Sequence, residues 1–235
     1  MDNLRAQMFT DIKQREHNIL RNVYIWMTVG LALTAVVALS VASSPTLLSL
    51  FLRNGTTFLF VIIAQFVVVF YLTARLDKMS SNKAIIAFGA YSILTGITLS
   101  TLFYAYSGLV ISRAFFTTAA VFGGMSFYGL VTKRDLDGIG HYLIMGLWGI
   151  IIASVINIFL KSEPIYYLLS IVGVLIFSAL TAWDTQKIKR LNESYGSDID
   201  EETYIKLSII GALMLYLDFI NIFLYLIRLF GNRNK

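Results

Sequence analysis

Cysteine is absent from the 235 residues, which excludes a disulfide framework and a thiolate metal site. Histidine occurs twice, at His17 and His141, too sparsely for a histidine-built metal cluster. Charge is scarce as well: 19 Lys and Arg with 14 Asp and Glu make up 14% of the chain. An ordinary globular domain carries about 25% charged and roughly 45–50% apolar residues. Here 57% are hydrophobic and the mean hydropathy is +0.72. Such a chain lacks the polar surface to face water, and its hydrophobicity excludes disorder. The length would suit one large soluble domain, so composition decides, and it predicts an all-α integral membrane protein. A net charge of +5 would suit a nucleic-acid partner. Most of the basic residues, however, stand beside apolar segments, where they anchor and orient spans.

What is abundant is apolar run length. A spanning helix needs about 20 mainly apolar residues, because the hydrocarbon layer is roughly 30 Å thick. Seven windows qualify: 24–42, 55–74, 84–106, 114–132, 142–160, 164–183 and 207–227. Together they contain one charged residue, Asp218. Alternate connecting segments hold 13 and 6 Lys/Arg, and the richer side is expected to be cytoplasmic. That places the N-terminus inside and the C-terminus outside. The basic tail Arg228, Arg233 and Lys235 runs against this, as it would if the last segment did not cross fully. Residues 1–23 form a charged cytoplasmic segment before the membrane domain at 24–235. Leu4, Met8, Ile12, Ile19 and Leu20 suit a short helix lying on the membrane or the bundle. The apolar run starts too late for a signal peptide and lacks its cleavage pattern.

Several features have ordinary structural readings. Trp26 and Trp183 suit the aromatic belt at the headgroup level. Ser92, Gly96 and Ser100 repeat every four residues on one face, a spacing that lets helix backbones approach closely. Gly123 and Gly124 read the same way. His141 suits a solvated interfacial position. The acidic segment 192–202 lacks the glycine and alternate acids of an EF-hand. Asp198 followed by Glu201 fits an N-cap box, so the last helix is expected to begin before the membrane does.

Asp218 is the costly residue. It occupies the twelfth position of its window, where a charge costs about 2.5–3.5 kcal/mol to insert. An acid there marks function by default. Helical spacing puts Gly211, Asn221 and Tyr225 on its face, with Arg228 continuing the stripe. Asp184 directly follows the sixth window and Arg75 the second, both at the expected cytoplasmic edge. An Arg75–Asp184 ion pair is allowed, and so is a pair of ordinary boundary charges. Asp218 lies about 16 Å inside its window, so Asp184 reaches it only through tilt, a water-filled vestibule or shifted boundaries.

Four stretches, TGITLS at 95–100, FGGMSFYGLVTKRDL at 122–136, LTAWDTQKIK at 180–189 and LYLDFINIFLYLIRLFG at 215–231, resemble the Bax inhibitor-1 (transmembrane Bax inhibitor motif) family, especially its bacterial members. The resemblance runs from the first span to the C-terminus, and the Asp–Phe–Ile–Asn core is its most specific part. It implies seven transmembrane helices with the last one central, in a bacterial inner membrane. It implies a pH-sensitive calcium leak in which Asp184 and Asp218 share a proton and contact calcium, and in which Arg75 latches onto Asp184. Some relatives carry an acid in the second helix. Gln65 is the polar residue in that region here, a departure that leaves a second-helix acidic ligand unsupported. Asn221, Tyr225 and Gln65 are the remaining candidates for a polar pore face. No resident cofactor is expected; calcium and protons are the cargo.

Two aspartates on membrane helices also suit an intramembrane aspartyl protease, which usually shows Gly-x-Gly-Asp before its second acid. Leu215, Tyr216 and Leu217 precede Asp218, so the chain is not expected to be an enzyme. The family's links to membrane-protease regulation and to cell-death suppression leave open a regulator without transport of its own. A proton-coupled calcium exchanger built on the same pair is open too.

Overall fold

The computed structural model describes the backbone of residues 2–51, 55–195 and 200–231, and the side chains of 19–51, 55–76, 78–191 and 200–231. Every regular element among the described residues is helical. The order is α1 (Asp2–Ser43), α2 (Pro45–Phe51), α3 (Gly55–Arg75), a 3₁₀ turn (Leu76–Lys78), α4 (Ser81–Leu99), α5 (Leu102–Ala105), α6 (Gly108–Val131), α7 (Asp137–Leu160), α8 (Glu163–Tyr195) and α9 (Glu201–Phe230). A helix satisfies its own backbone donors and acceptors, which an open sheet edge in lipid does not.

Seven stretches are long and apolar enough to span: Ile19–Ser43, Gly55–Arg75, Ser81–Ala105, Gly108–Val131, Asp137–Leu160, Glu163–Leu191 and Glu201–Phe230. Each of the seven expected windows is found, and five of them lengthen by five residues or more. The helix of the sixth runs on past Trp183, and the long stems of Lys187 and Lys189 suit a boundary position. Asp184 therefore lies within its helix, and Arg75 is the last residue of its own. The last span starts early, at Glu201, as expected. Its cap is Asp200, whose carboxylate accepts from the Thr203 N–H at 3.2 Å; hydrogen bonding from the Thr203 side chain, with its backbone N–H adding to it, holds the Asp200 carboxyl below its ordinary pKa. Asp198 and the side chains of residues 1–18, which carried the N-terminal amphipathic expectation, lie outside the described residues.

Burial separates the spans. In α3 and α7 only 11% of the most apolar window is buried, against 72% in α9. Phe66 and Phe70 on α3, and Trp148 and Phe159 on α7, are broadly exposed, as a lipid-facing surface requires.

The chain forms two compact units: Met1–Ala105 with Arg190–Tyr216, and Tyr106–Lys189 with Leu217–Lys235. In the first unit α4 packs against α1 and α3. A methyl group on Gly96 would lie 2.7 Å from the Thr34 carbonyl oxygen and from Val37 Cβ, so close approach at this small-residue stripe is what allows the pair to form. Thr34 Oγ1 donates to the Ser92 carbonyl at 2.9 Å and lies 2.6 Å from the Tyr216 hydroxyl. The Gln65 amide donates to Thr95 Oγ1 at 3.2 Å and accepts from Thr98 Oγ1 at 3.1 Å, tying α3 to α4.

In the second unit Gly129 of α6 abuts the Ala182 backbone of α8, and Gly140 of α7 lies under the Trp183 ring. These glycines make the close contacts, not Gly123 and Gly124. Both of those face open space, which corrects the packing expected of them. Phe219 packs edge-on against Phe115 and Phe122, at centroid distances of 5.8 and 5.6 Å. Trp183 does more than mark a headgroup level, since its indole N–H donates to Asp137 at 2.9 Å.

Intramembrane hydroxyls mostly turn back on their own helices. Ser92, Thr95, Thr118, Ser170, Thr181 and Ser208 each donate to the carbonyl four residues earlier, at 2.7–3.0 Å, while Thr98 divides its hydrogen between Leu94 and Gln65. In all but Thr98 the polar hydrogen is thereby satisfied without a partner helix.

Candidate functional site

Asp218 and Asp184 belong to the same unit and are buried, with 4% and 8% of their surfaces exposed. Their relative depth follows from how α8 and α9 run past each other. The Tyr167 hydroxyl donates to the Leu229 carbonyl at 3.3 Å. The Tyr225 ring lies across Gly173, where a methyl group would meet it at 2.6 Å. Thr181 stands within hydrogen-bonding reach of Asp218. Rising residue numbers on α8 meet falling numbers on α9, so the helices are antiparallel and in register at Thr181–Asp218. Asp184 is three residues beyond Thr181, an axial offset of about 5 Å rather than the 16 Å expected. The lengthened sixth span closes the gap, with no vestibule required. The two carboxyls are near enough to act on one another electrostatically.

Several buried hydroxyls lie on or against the same helix as Asp184. Thr181 and Thr185 are buried on the same helix, and Thr185 Oγ1 lies 3.0 Å from Ser126 Oγ of α6. The single Thr181 proton is directed at the Phe177 carbonyl at 2.8 Å. Asp218 Oδ2 and Ser178 Oγ are buried without a hydrogen-bond partner among the described residues. Nor do three or more His, Cys, Asp or Glu side chains gather among those residues. A cation here would meet two carboxylates and neutral oxygens, a set suited to a hard ion held weakly.

The other sequence candidates are dispersed. Asn221 turns its amide nitrogen back onto the Leu217 carbonyl at 2.8 Å. Tyr225 is half-buried, its ring 5.9 Å from that of Phe177. Gln65 belongs to the other unit and to its Thr95–Thr98 bridge. Arg75 also belongs to that unit, exposed at the end of α3 beside a small pocket of about 60 Å³ shared with Lys78 and Lys83.

Gln186, two residues past Asp184, was not singled out from sequence. It is buried, accepts from the Leu136 N–H at 2.9 Å and donates to the Arg134 carbonyl at 2.8 Å. Lys189 adds a bond to the Leu130 carbonyl at 3.3 Å. These bonds clasp the α6–α7 connection to α8. The available signal was an uncharged amide within a run of charged boundary residues.

A profile described as "Inhibitor of apoptosis-promoting Bax1" matches residues 16–235, which take in both aspartates and all seven spans. The chain belongs to the Bax inhibitor-1 family. Among Bax inhibitor-1 relatives, the inner membrane protein YbhL of Escherichia coli K12 is 47% identical over 214 residues, 91% of each chain. An uncharacterised protein of Borreliella burgdorferi is 42% identical over 220 residues, 94% of each. An uncharacterised membrane protein of Streptococcus pyogenes serotype M1 is 34% identical over 214 residues, 90% of this chain and 91% of the relative. Membership and span content together make this an integral membrane protein. The Bax inhibitor-1 family is one of membrane regulators and channel-type proteins rather than a known enzyme family.

Proposed function

We propose that the protein is a pH-sensitive cation leak of a bacterial inner membrane, with calcium as its cargo and the Asp184–Asp218 pair as its proton-controlled element. The observation that carries this reading is the pair itself: two buried carboxyls on antiparallel helices, set about 5 Å apart in depth, with Thr181 beside Asp218. Two carboxylates in a low-dielectric site do not both ionise easily and tend to share a proton. When that proton leaves, the site gains charge and hard oxygen ligands suited to calcium. Protonation then biases two arrangements of the helices, closed and conducting. The latch role of Arg75 rests on the family resemblance; its guanidinium would compete with calcium for the deprotonated pair. The reading assigns transport rather than catalysis.

The test is calcium entry into dye-loaded liposomes across pH, with wild type, Asp184→Asn, Asp218→Asn and Arg75→Gln. The expected result is pH-dependent flux in the wild type, loss of that pH dependence in either Asp→Asn variant, and a raised basal leak in Arg75→Gln. Absence of flux at every pH, or the same pH profile in all four proteins, defeats the proposal.

A further inference from the structure

At the end of the second unit far from Asp184, the turn between α7 and α8, the end of α9 and the approach to α6 enclose a cavity of about 640 Å³. Its charged lining residues are Lys161, Arg228 and Glu163, so positive charge predominates. Arg228 is half-buried, and its guanidinium sits over the rings of Tyr166 and Tyr225 at 5.5 and 5.3 Å. It makes no ion pair or hydrogen bond among the described residues. The head is held in place by the rings while its N–H donors remain available. Lys161 has φ 50°, the left-handed conformation that ends α7. Its N–H donates to the Asn157 carbonyl at 2.8 Å, and the Ser162 N–H donates to Asn157 Oδ1 at 3.1 Å. A second cation is thus presented on a rigid turn.

Two further observations narrow the ligand. Leu160, Glu163 and Phe230 stand at the ends of three helices long and apolar enough to span, so the cavity sits at the helix ends, where a headgroup layer is expected. The surface beside it is apolar and open: Ile158, Phe159, Leu160 and Leu168 are 67%, 80%, 60% and 59% exposed. Ile158 also lines the cavity, which therefore borders the lipid-facing side of α7. A planar guanidinium matches two phosphate oxygens, and an ammonium adds a point charge. A divalent cation would meet two positive groups and one acid here. The cavity is thus unsuited to the cargo proposed for the aspartate pair, which lies about 15 Å away along α9.

We propose that this cavity binds the phosphate of an anionic phospholipid. Arg228 and Lys161 grip the headgroup, and the acyl chains run along the exposed apolar faces of α7 and α8. The site does not depend on the ion-leak reading.

Native mass spectrometry of the detergent-solubilised full chain, titrated with phosphatidylglycerol, phosphatidylcholine or inorganic phosphate, tests it. Wild type is expected to retain phosphatidylglycerol in preference to phosphatidylcholine. Affinity should fall about tenfold in Arg228→Gln, the scale of a lost charge-assisted contact, and by less in Lys161→Gln and Arg228→Lys. Millimolar inorganic phosphate should not displace the lipid. Lys161 is exposed on a turn, so Lys161→Gln keeps the test decisive if Arg228→Gln fails to fold. Equal phosphatidylglycerol retention by wild type and Lys161→Gln overturns the proposal. So does Arg228-dependent binding of free phosphate without lipid selectivity.

Discussion

Replacing Gln186 by leucine removes both ends of the clasp between α8 and the α6–α7 connection while keeping an apolar side chain of similar length. The Leu136 N–H and the Arg134 carbonyl, now 2.9 and 2.8 Å from the Gln186 amide, lose their partner. Leu136 is buried, with 6% of its surface exposed, so its N–H is poorly placed to recruit water. A buried backbone group left unpaired costs about 1–3 kcal/mol, and two would cost about 2–6 kcal/mol. Arg134 is exposed and its carbonyl is nearer water, which favours the lower end, about 2 kcal/mol. If opening of this connection governs exchange, the Leu136 amide should exchange about thirtyfold faster, since 1.4 kcal/mol is tenfold. Hydrogen exchange of a peptide covering residues 132–138, in detergent or nanodiscs, reads this directly. Gln186→Glu is the internal control: a carboxylate oxygen still accepts from the Leu136 N–H but faces the Arg134 carbonyl without a donor. Having lost one bond of the two, it should raise Leu136 exchange by less than Gln186→Leu does. Unchanged protection of Leu136 in Gln186→Leu would refute the clasp.

Gly129→Ala sets a methyl group against the Ala182 backbone, which does not swing aside as a side chain would. Overpacking of this kind costs about 1–3 kcal/mol, and Gly123→Ala, into open space, should cost nothing measurable in the same thermal-unfolding assay. Gln65→Leu removes the bridge to Thr95 and Thr98; intramembrane side-chain bonds average about 0.6 kcal/mol each, so a loss near 1 kcal/mol is expected from steric trapping. Asp200→Ala should raise exchange at the first amides of α9, whereas Asp200→Asn retains an accepting oxygen and should not. Because the Asp200 pKa is lowered in the folded state, its cap is fully present above the ordinary carboxylate pKa and is lost as pH falls through the lowered value, so first-turn exchange in the wild type should rise only in acid.

Span number was legible because exclusion of charge from lipid is a strong, one-dimensional constraint: one charged residue in seven windows leaves little freedom. Span ends were not, because a helix continues through Lys187 and Lys189 wherever their stems reach the interface, and hydropathy registers the charge rather than the stem. That single effect accounts for the misplaced depth of Asp184. Which glycine makes a close contact was likewise hidden. Gly96 shares a face with Ser92 and Ser100 and was legible from spacing, while Gly129 packs and Gly123 does not because of where α8 lies. Asp218 stood out by cost alone. Its hydroxyl neighbour Thr181 did not, since serine and threonine in a membrane helix serve their own backbone as readily as a ligand.

The hydroxyls that bond back to their own helices carry one more implication. Each has already committed its hydrogen, so what it offers its surroundings is lone pairs. At these positions, which carry no formal charge, each helix therefore presents acceptors rather than donors. Such a lining is hospitable to cations and to protonated groups, and inhospitable to anions, before any carboxyl ionises.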